Sequence, residues 1–211
     1  MNVTDICNMA LAYLGKGRIS SIDEQTETAR QCKLFYAYTK QRLLRDYAWG
    51  FAKRSEKLAQ LDADVPGWDF VYAYPSKCVA VRKIYNCTEE QDYVTKKIRK
   101  TENRCIMPDE KNKYEIFMVS DNVLGVGCNI CEAWLDYTYD ADDANVFSAD
   151  FVEAFTHMLA SNMAIQLTGN MNMKQSEFQL AQNSLRRAQY TSAAENEEKP
   201  ERPTNYFNAR M

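Results

Sequence analysis

Apolar residues recur every three or four positions in four stretches of this chain and alternate with polar ones between the second and third. That pattern predicts helices flanking a β-rich middle. Ile6, Ala10, Leu11 and Leu14 share one side of a helix expected over about residues 4–14, with Thr4 as its N-cap and Gly15 in the left-handed position beyond its end. The mixed segment from Gly15 to Glu24 reads as a loop held to the core by Ile19 and Ile22. A second helix should open at Thr26 and run to about Tyr47, its stripe made of Cys32, Phe35, Tyr36, Thr39, Leu43 and Tyr47. Arg30, Lys33, Lys40, Arg42 and Arg45 fall mostly between those positions and are assigned to a solvated helix face, the alternative being a basic surface toward DNA or an acidic neighbour.

Beyond Ala48-Trp49-Gly50-Phe51-Ala52 the period shortens to two. Strands are expected at Phe70–Tyr74, Val79–Tyr85, Tyr114–Val119 and Ile130–Tyr139, with weaker ones near Tyr93–Thr95, Arg104–Met107 and Val123–Val126. Pro66-Gly67, Pro75-Ser76 and Pro108-Asp109 break the runs. In the last strand Cys131, Ala133, Leu135 and Tyr137 alternate with Glu132, Trp134, Asp136 and Thr138, so one face meets a core. Such a set makes a small antiparallel lobe, a sandwich or an open barrel.

After the acidic turn Asp140–Asn145, Ser148 is the expected N-cap of a third helix bearing Phe151, Val152, Phe155, Leu159, Met163 and Leu167 and ending at Gly169. Asn172 is the expected cap of a fourth, whose narrower stripe is Phe178, Ala181, Leu185 and Ala188 and which ends near Tyr190. The fold class is therefore α+β: an antiparallel bundle of about four helices from residues 1–52 and 146–191, an inserted antiparallel β lobe at 53–145, and an extended C-terminal arm at 192–211. The arm is polar, charged and Pro-containing until Asn205-Tyr206-Phe207 returns aromatics near the end. That order suits either docking outside its own fold or a frayed terminus.

Composition narrows the function classes. With 45% hydrophobic residues in 211, the chain can bury a real core, and a net charge of -3 argues against DNA as its main ligand, because phosphate binding needs excess positive charge. Neither a basic-then-apolar leader nor a run of about 20 apolar residues is present, so a cytosolic product that does not span a membrane is expected. Seven cysteines, an odd number, are expected to be reduced.

Candidate chemistry is sparse. His157 is the single histidine, no G-x-S-x-G or HExxH motif accompanies it, and it is read as structural. Gly125-Val126-Gly127 lies in a strand-like run with no following helix, so it makes no phosphate loop. Cys128-Asn129-Ile130-Cys131 has the spacing of half a zinc site, with Cys87 or Cys105 as the remaining donors, but it leads into a strand and lacks a second CxxC, so neither zinc nor thiol exchange is expected. The turn from Asp140 fails the EF-hand pattern at Ala144, at the glycine of its sixth position, and at Phe151, where a glutamate belongs. Glu132/Asp136 or Asp62/Asp64 would serve as a glycosidase dyad only at the right separation, and most such acids are read as surface groups. No catalytic residue, cofactor or metal ligand is assigned.

Three segments together resemble the head-to-tail adaptor family of short-tailed bacteriophages, also called tail tubular protein A or tail accessory factor proteins. The first is Ile6 to Gly15 followed by Ile19-Ser20-Ser21-Ile22-Asp23-Glu24 and Thr28-Ala29-Arg30. It is similar to the family's opening helix ending in Leu-Gly, its Ile-x-Ser-Ile/Leu-x-Glu loop and its helix entered through Thr/Glu-Ala. The second, Leu44 to Ala52, resembles a Trp-x-Phe-Ala signature, with Gly50 a local departure. The third, Trp68 to Val81, resembles a Tyr-x-Tyr-Pro-x-x-Cys-hydrophobic stretch, and Asp150–Phe155 leading to Leu167-Thr168-Gly169 is a weaker fourth element. The likeness covers about residues 3–85 well and 130–190 loosely.

The resemblance implies a non-enzymatic virion protein made in the bacterial cytoplasm. Its helical bundle with a β lobe would assemble as a ring of about twelve copies, a dodecamer, between the portal and the distal tail tube or nozzle protein. DNA would only pass through the lumen. The arm, with Asn205, Tyr206, Phe207 and Arg210, would dock on the portal. The alternative it leaves open is a tail-associated peptidoglycan hydrolase, supported only by scattered carboxylates.

Overall fold

The computed structural model describes residues 1–91, 98–102 and 113–195, the side chains of 87–91 and 98–102 excepted. Among these residues the fold is α+β, with four helices and two antiparallel sheets. No helix among them is long and apolar enough to cross a membrane.

Helix α1 (Val3–Tyr13) is capped by Asn2 rather than by the expected Thr4. Asn2 Oδ1 accepts from the Asp5 N–H at 2.8 Å, and Asp5 Oδ2 accepts from the Asn2 N–H at 2.8 Å. This reciprocal box satisfies two donors that a threonine two residues later would leave open. The chain leaves α1 through Gly15 at φ 64, which lets Lys16 donate back to the Leu11 carbonyl at 2.9 Å. Asn8 then binds both backbone groups of Ile19, at 3.0 and 2.8 Å, and holds that side chain in the core.

Helix α2 (Glu27–Asp46) starts at the Thr26 cap and buries Ala29, Cys32, Tyr36, Thr39, Leu43 and Leu44. It also buries Lys40, only 7% exposed, against the expectation of a solvated lysine. The apolar stripe is wide enough to include position 40, and the ammonium finds an acidic partner there.

Helix α3 (Ala149–Thr168) packs against the other three helices, with Phe151, Phe155, Leu159 and Met163 fully buried. Ser148 caps it, and Gly169 at φ 68 ends it. Helix α4 (Met171–Glu195) is capped by Asn170, not Asn172: Asn170 Oδ1 accepts from the N–H groups of Asn172 and Met173 at 3.0 and 3.2 Å. Its buried stripe is Glu177, Ala181, Ser184, Leu185, Ala188 and Ser192, while Phe178 is 41% exposed. Ala181, Leu185 and Ala188 are buried as expected; at the first turn of the stripe Glu177, paired with His157 on α3, is buried in place of Phe178. The helix runs past Tyr190 to Glu195, so residues 192–195 of the expected arm are helical and Ser192 is packed.

Between α2 and α3 lie seven strands: β1 (Lys53–Lys57), β2 (Phe70–Ala73), β3 (Cys78–Gln91), β4 (Ile98–Glu102), β5 (Tyr114–Ser120), β6 (Val123–Cys128) and β7 (Ala133–Tyr139). One sheet has the order β1-β7-β3-β4 and the other β2-β6-β5. Their inner faces share one apolar cluster, with Tyr72, Val126 and Cys128 from the second sheet against Ile84, Ala133, Leu135 and Tyr137 from the first. β1 and β4 were not expected. β1 reads Lys-Arg-Ser-Glu-Lys with no apolar alternation and is held as an edge by β7 alone. β7 starts at Ala133 rather than Ile130, because Glu132 sits at φ 52 and breaks the strand. The strands expected near Tyr93–Thr95 and Arg104–Met107 fall outside the described residues.

Candidate functional site

The helices and the β lobe meet where α2 hands the chain to β1, and the contact there is built from aromatic and charged side chains. Trp49 is fully buried and donates from Nε1 to the Leu43 carbonyl at 2.8 Å. Around it stand Tyr47, Phe51 and Phe151, with ring centroids at 5.0, 5.9 and 5.0 Å, and Phe147 lies 5.6 Å from Phe51. Aromatic edges and faces at these distances add to the burial of each ring.

Arg82 on β3 reaches across to the open end of α2. Its Nη2 donates to the carbonyls of Leu44, Arg45 and Tyr47 at 3.1, 3.0 and 2.7 Å, and its Nε donates to Thr138 Oγ1 at 2.8 Å. The last carbonyls of a helix carry partial negative charge and lack intrahelical donors, so a guanidinium is suited to that place. Loss of hydration on burial is the main reason its pKa lies below the usual arginine range.

Lys40 makes the second cross-lobe link. Its ammonium is 2.7 Å from Asp140 Oδ1, donates to the Ala141 carbonyl at 3.0 Å and lies 3.9 Å from Asp142. Gln41 donates to Asp140 Oδ2 at 3.0 Å, and Lys77 binds Asp142 and holds that carboxyl below its ordinary range. The acidic turn that fails as a calcium loop is thus a clasp for two lysines. Sequence reasoning found the acids and the lysines separately. The signal joining them was a lysine next to the apolar stripe of α2.

Two open clefts flank this junction. One, of about 510 Å³, lies between α2 and the start of β3 and is lined by Tyr38, Arg42, Arg45, Ser76, Lys77 and Val79, among others. The other, of about 590 Å³, includes Trp49, Lys53, Arg82, Lys83, Asp136 and Thr138 in its wall.

The remaining candidates are scattered. His157 Nδ1 is 2.7 Å from Glu177 Oε2, and its ring stacks on Tyr13 with centroids 4.2 Å apart, so it ties α3 to α4 and α1. Cys128 is buried at the end of β6, which pushes its thiol pKa up, whereas Cys131 is exposed. Among the described residues no three His, Cys, Asp or Glu side chains gather as a metal-ligand set; Cys105 and the side chain of Cys87 lie outside them. Glu132 pairs with Lys57 at 2.8 Å, whereas Asp136 accepts from Tyr85 at 3.0 Å. Asp62 and Asp64 are exposed in the loop before β2. Gly125 and Gly127 serve packing: a Cβ on Gly127 would stand 2.7 Å from the Trp68 ring and 2.8 Å from that of Phe117. Asn205, Tyr206, Phe207 and Arg210 fall outside the described residues. The chain matches neither a model of a known protein family nor a curated protein.

Proposed function

We propose that this chain is a structural, non-enzymatic subunit of a phage virion, a head-to-tail adaptor. Copies form a ring of about twelve that joins the portal to the distal tail and extends the channel through which DNA leaves. The observation that carries this reading is that the segments resembling the adaptor family are the ones that lock the architecture. The Leu14-Gly15 turn and Ile19 close α1 onto the core through Asn8. Trp49, Phe51 and Ala52 form the wedge at the crossover from helices to strands. Tyr72 donates to the Ile130 carbonyl at 2.7 Å and ties β2 to the turn before β7, while Tyr74 donates to the Cys78 carbonyl at 3.3 Å and closes the turn between β2 and β3.

A ring subunit must hold its two lobes at a fixed angle, because an error in that angle is repeated at every contact around the circle. Trp49, Arg82 and Lys40 supply that stiffness. The C-terminal arm with Asn205, Tyr206, Phe207 and Arg210 is the proposed portal-docking element, adding many weak contacts around one axis.

Electron microscopy of the full chain mixed with portal from the same phage tests the reading. A ring stacked coaxially on the portal supports it, and a chain ending at Glu195 should then bind more weakly. Free portal without added density, at concentrations far above micromolar, would overturn it and direct attention to cell-wall hydrolysis.

A further inference from the structure

Helix α2 exposes Leu34, Tyr38, Arg42 and Arg45 at intervals of four, four and three, the spacing of one helix face. Leu34 and Tyr38 are 65% and 58% exposed and, four residues apart, form one short apolar strip along this face. Lower on this face the 510 Å³ cleft opens toward Ser76 and Lys77. The acids there are already engaged: Asp140 by Lys40 and Gln41, Asp142 by Lys77. Among the described residues Arg42 and Arg45 have no carboxylate at ion-pair distance, so the cleft carries excess positive charge beside an apolar strip.

The opposite charge stands at the far end of β2. The loop entering that strand exposes Asp62, Asp64 and Asp69 around Val65 and Pro66, and no cation among the described residues pairs with the three acids. The loop is fastened in place. Leu61 donates to the Val71 carbonyl at 2.8 Å, Trp68 to that of Val65 at 3.2 Å, and the Asp69 N–H to Asn129 Oδ1 at 3.1 Å. A loop already ordered loses little further entropy on docking. β2 runs from this loop toward Ser76 and Lys77, so the acidic and basic surfaces lie at opposite ends of one strand. A chain with complementary surfaces at two separate places can associate head to tail, the geometry that closes into rings.

We propose that the acidic loop Asp62–Asp69 of one copy seats against the α2 face of the next, with Asp62 and Asp64 meeting Arg42 and Arg45 and the loop's Val65 and Pro66 covering Leu34 and Tyr38. The proposal deepens the ring reading and rests on it. Electrostatic complementarity of this kind sets partner choice and register and weakens with salt.

Sedimentation velocity on the full chain, over about 1 to 500 µM at low and at high salt, tests it. Concentration-dependent association that high salt weakens is expected. The pair Arg42→Glu with Arg45→Glu, and separately Asp62→Lys with Asp64→Lys, should each weaken association at least about tenfold, and one chain carrying all four should recover to within about threefold. That recovery distinguishes a direct contact from damaged folding. A native chain that stays monomeric throughout, or association indifferent to either reversal, overturns the contact. If rings still form on the portal in that case, the adaptor reading stands and another surface makes the ring. A native monomer whose α2 face instead binds a short DNA duplex, lost with Arg42→Glu and Arg45→Glu, would assign the cleft to phosphates and also overturn the proposal.

Discussion

Replacing Lys40 by methionine keeps the aliphatic stem and removes the ammonium, leaving Asp140 without its 2.7 Å partner and the Ala141 carbonyl without its donor. Hydrogen bonds to charged groups contribute about 1.5–3 kcal/mol each. Asp140 retains Gln41 and some solvent, so Lys40→Met is expected to cost about 2 kcal/mol in denaturant unfolding. Adding Asp140→Asn should recover part of that loss. Lys77 holds the Asp142 carboxyl below its ordinary range, chiefly by its hydrogen bond and then by its charge. A group depressed in this way contributes stability above its unfolded pKa and loses it as pH falls through the folded value. The drop in stability on acidifying below about pH 4 should therefore be smaller in Asp142→Asn than in the native chain, and modest in both because the pair is exposed.

Elements whose partners are local were legible from spacing. α1, α2 and α3 lie within a residue or two of their expected bounds, and Ser148, Thr26 and Gly169 act as read, since a cap needs only the chain on either side of it. β1 was not legible, because an edge strand of Lys-Arg-Ser-Glu-Lys owes its conformation to β7, some eighty residues away by the register Lys53↔Thr138. In α4 the expected Ala181, Leu185 and Ala188 are buried, but Phe178 is exposed and the neighbouring Glu177 is buried against His157, a pairing twenty residues apart that periodicity does not report. The β2-β6-β5 sheet offers a sharp test. Gly127 sits where the Trp68 and Phe117 rings close over the strand, so Gly127→Ala forces both to shift and should cost about 1–3 kcal/mol by overpacking, read as a lowered Tm.

Both hydrophobic clusters border the junction, and Trp49 stands at the helical side of it. Trp49→Ala removes the largest fully buried side chain and strands the Leu43 carbonyl, and it should cost about 3–5 kcal/mol in calorimetry or denaturant unfolding. What could be read from the residues alone was whatever depends on neighbours along the chain: the helix periods, most caps, the α+β division and the places where strands alternate. What waited for the folded chain was every pairing that closes a long loop. Lys40 looked like a solvated cation until Asp140 arrived from a hundred residues away, and Arg82 gave no sign that it would close α2. Periodicity reports which face of an element is apolar but not which charge will stand opposite it. The clasp, the clefts and the complementary surfaces at the two ends of β2 all come from that second kind of information, because two oppositely charged segments interact strongly only once packing has brought them within a few ångströms.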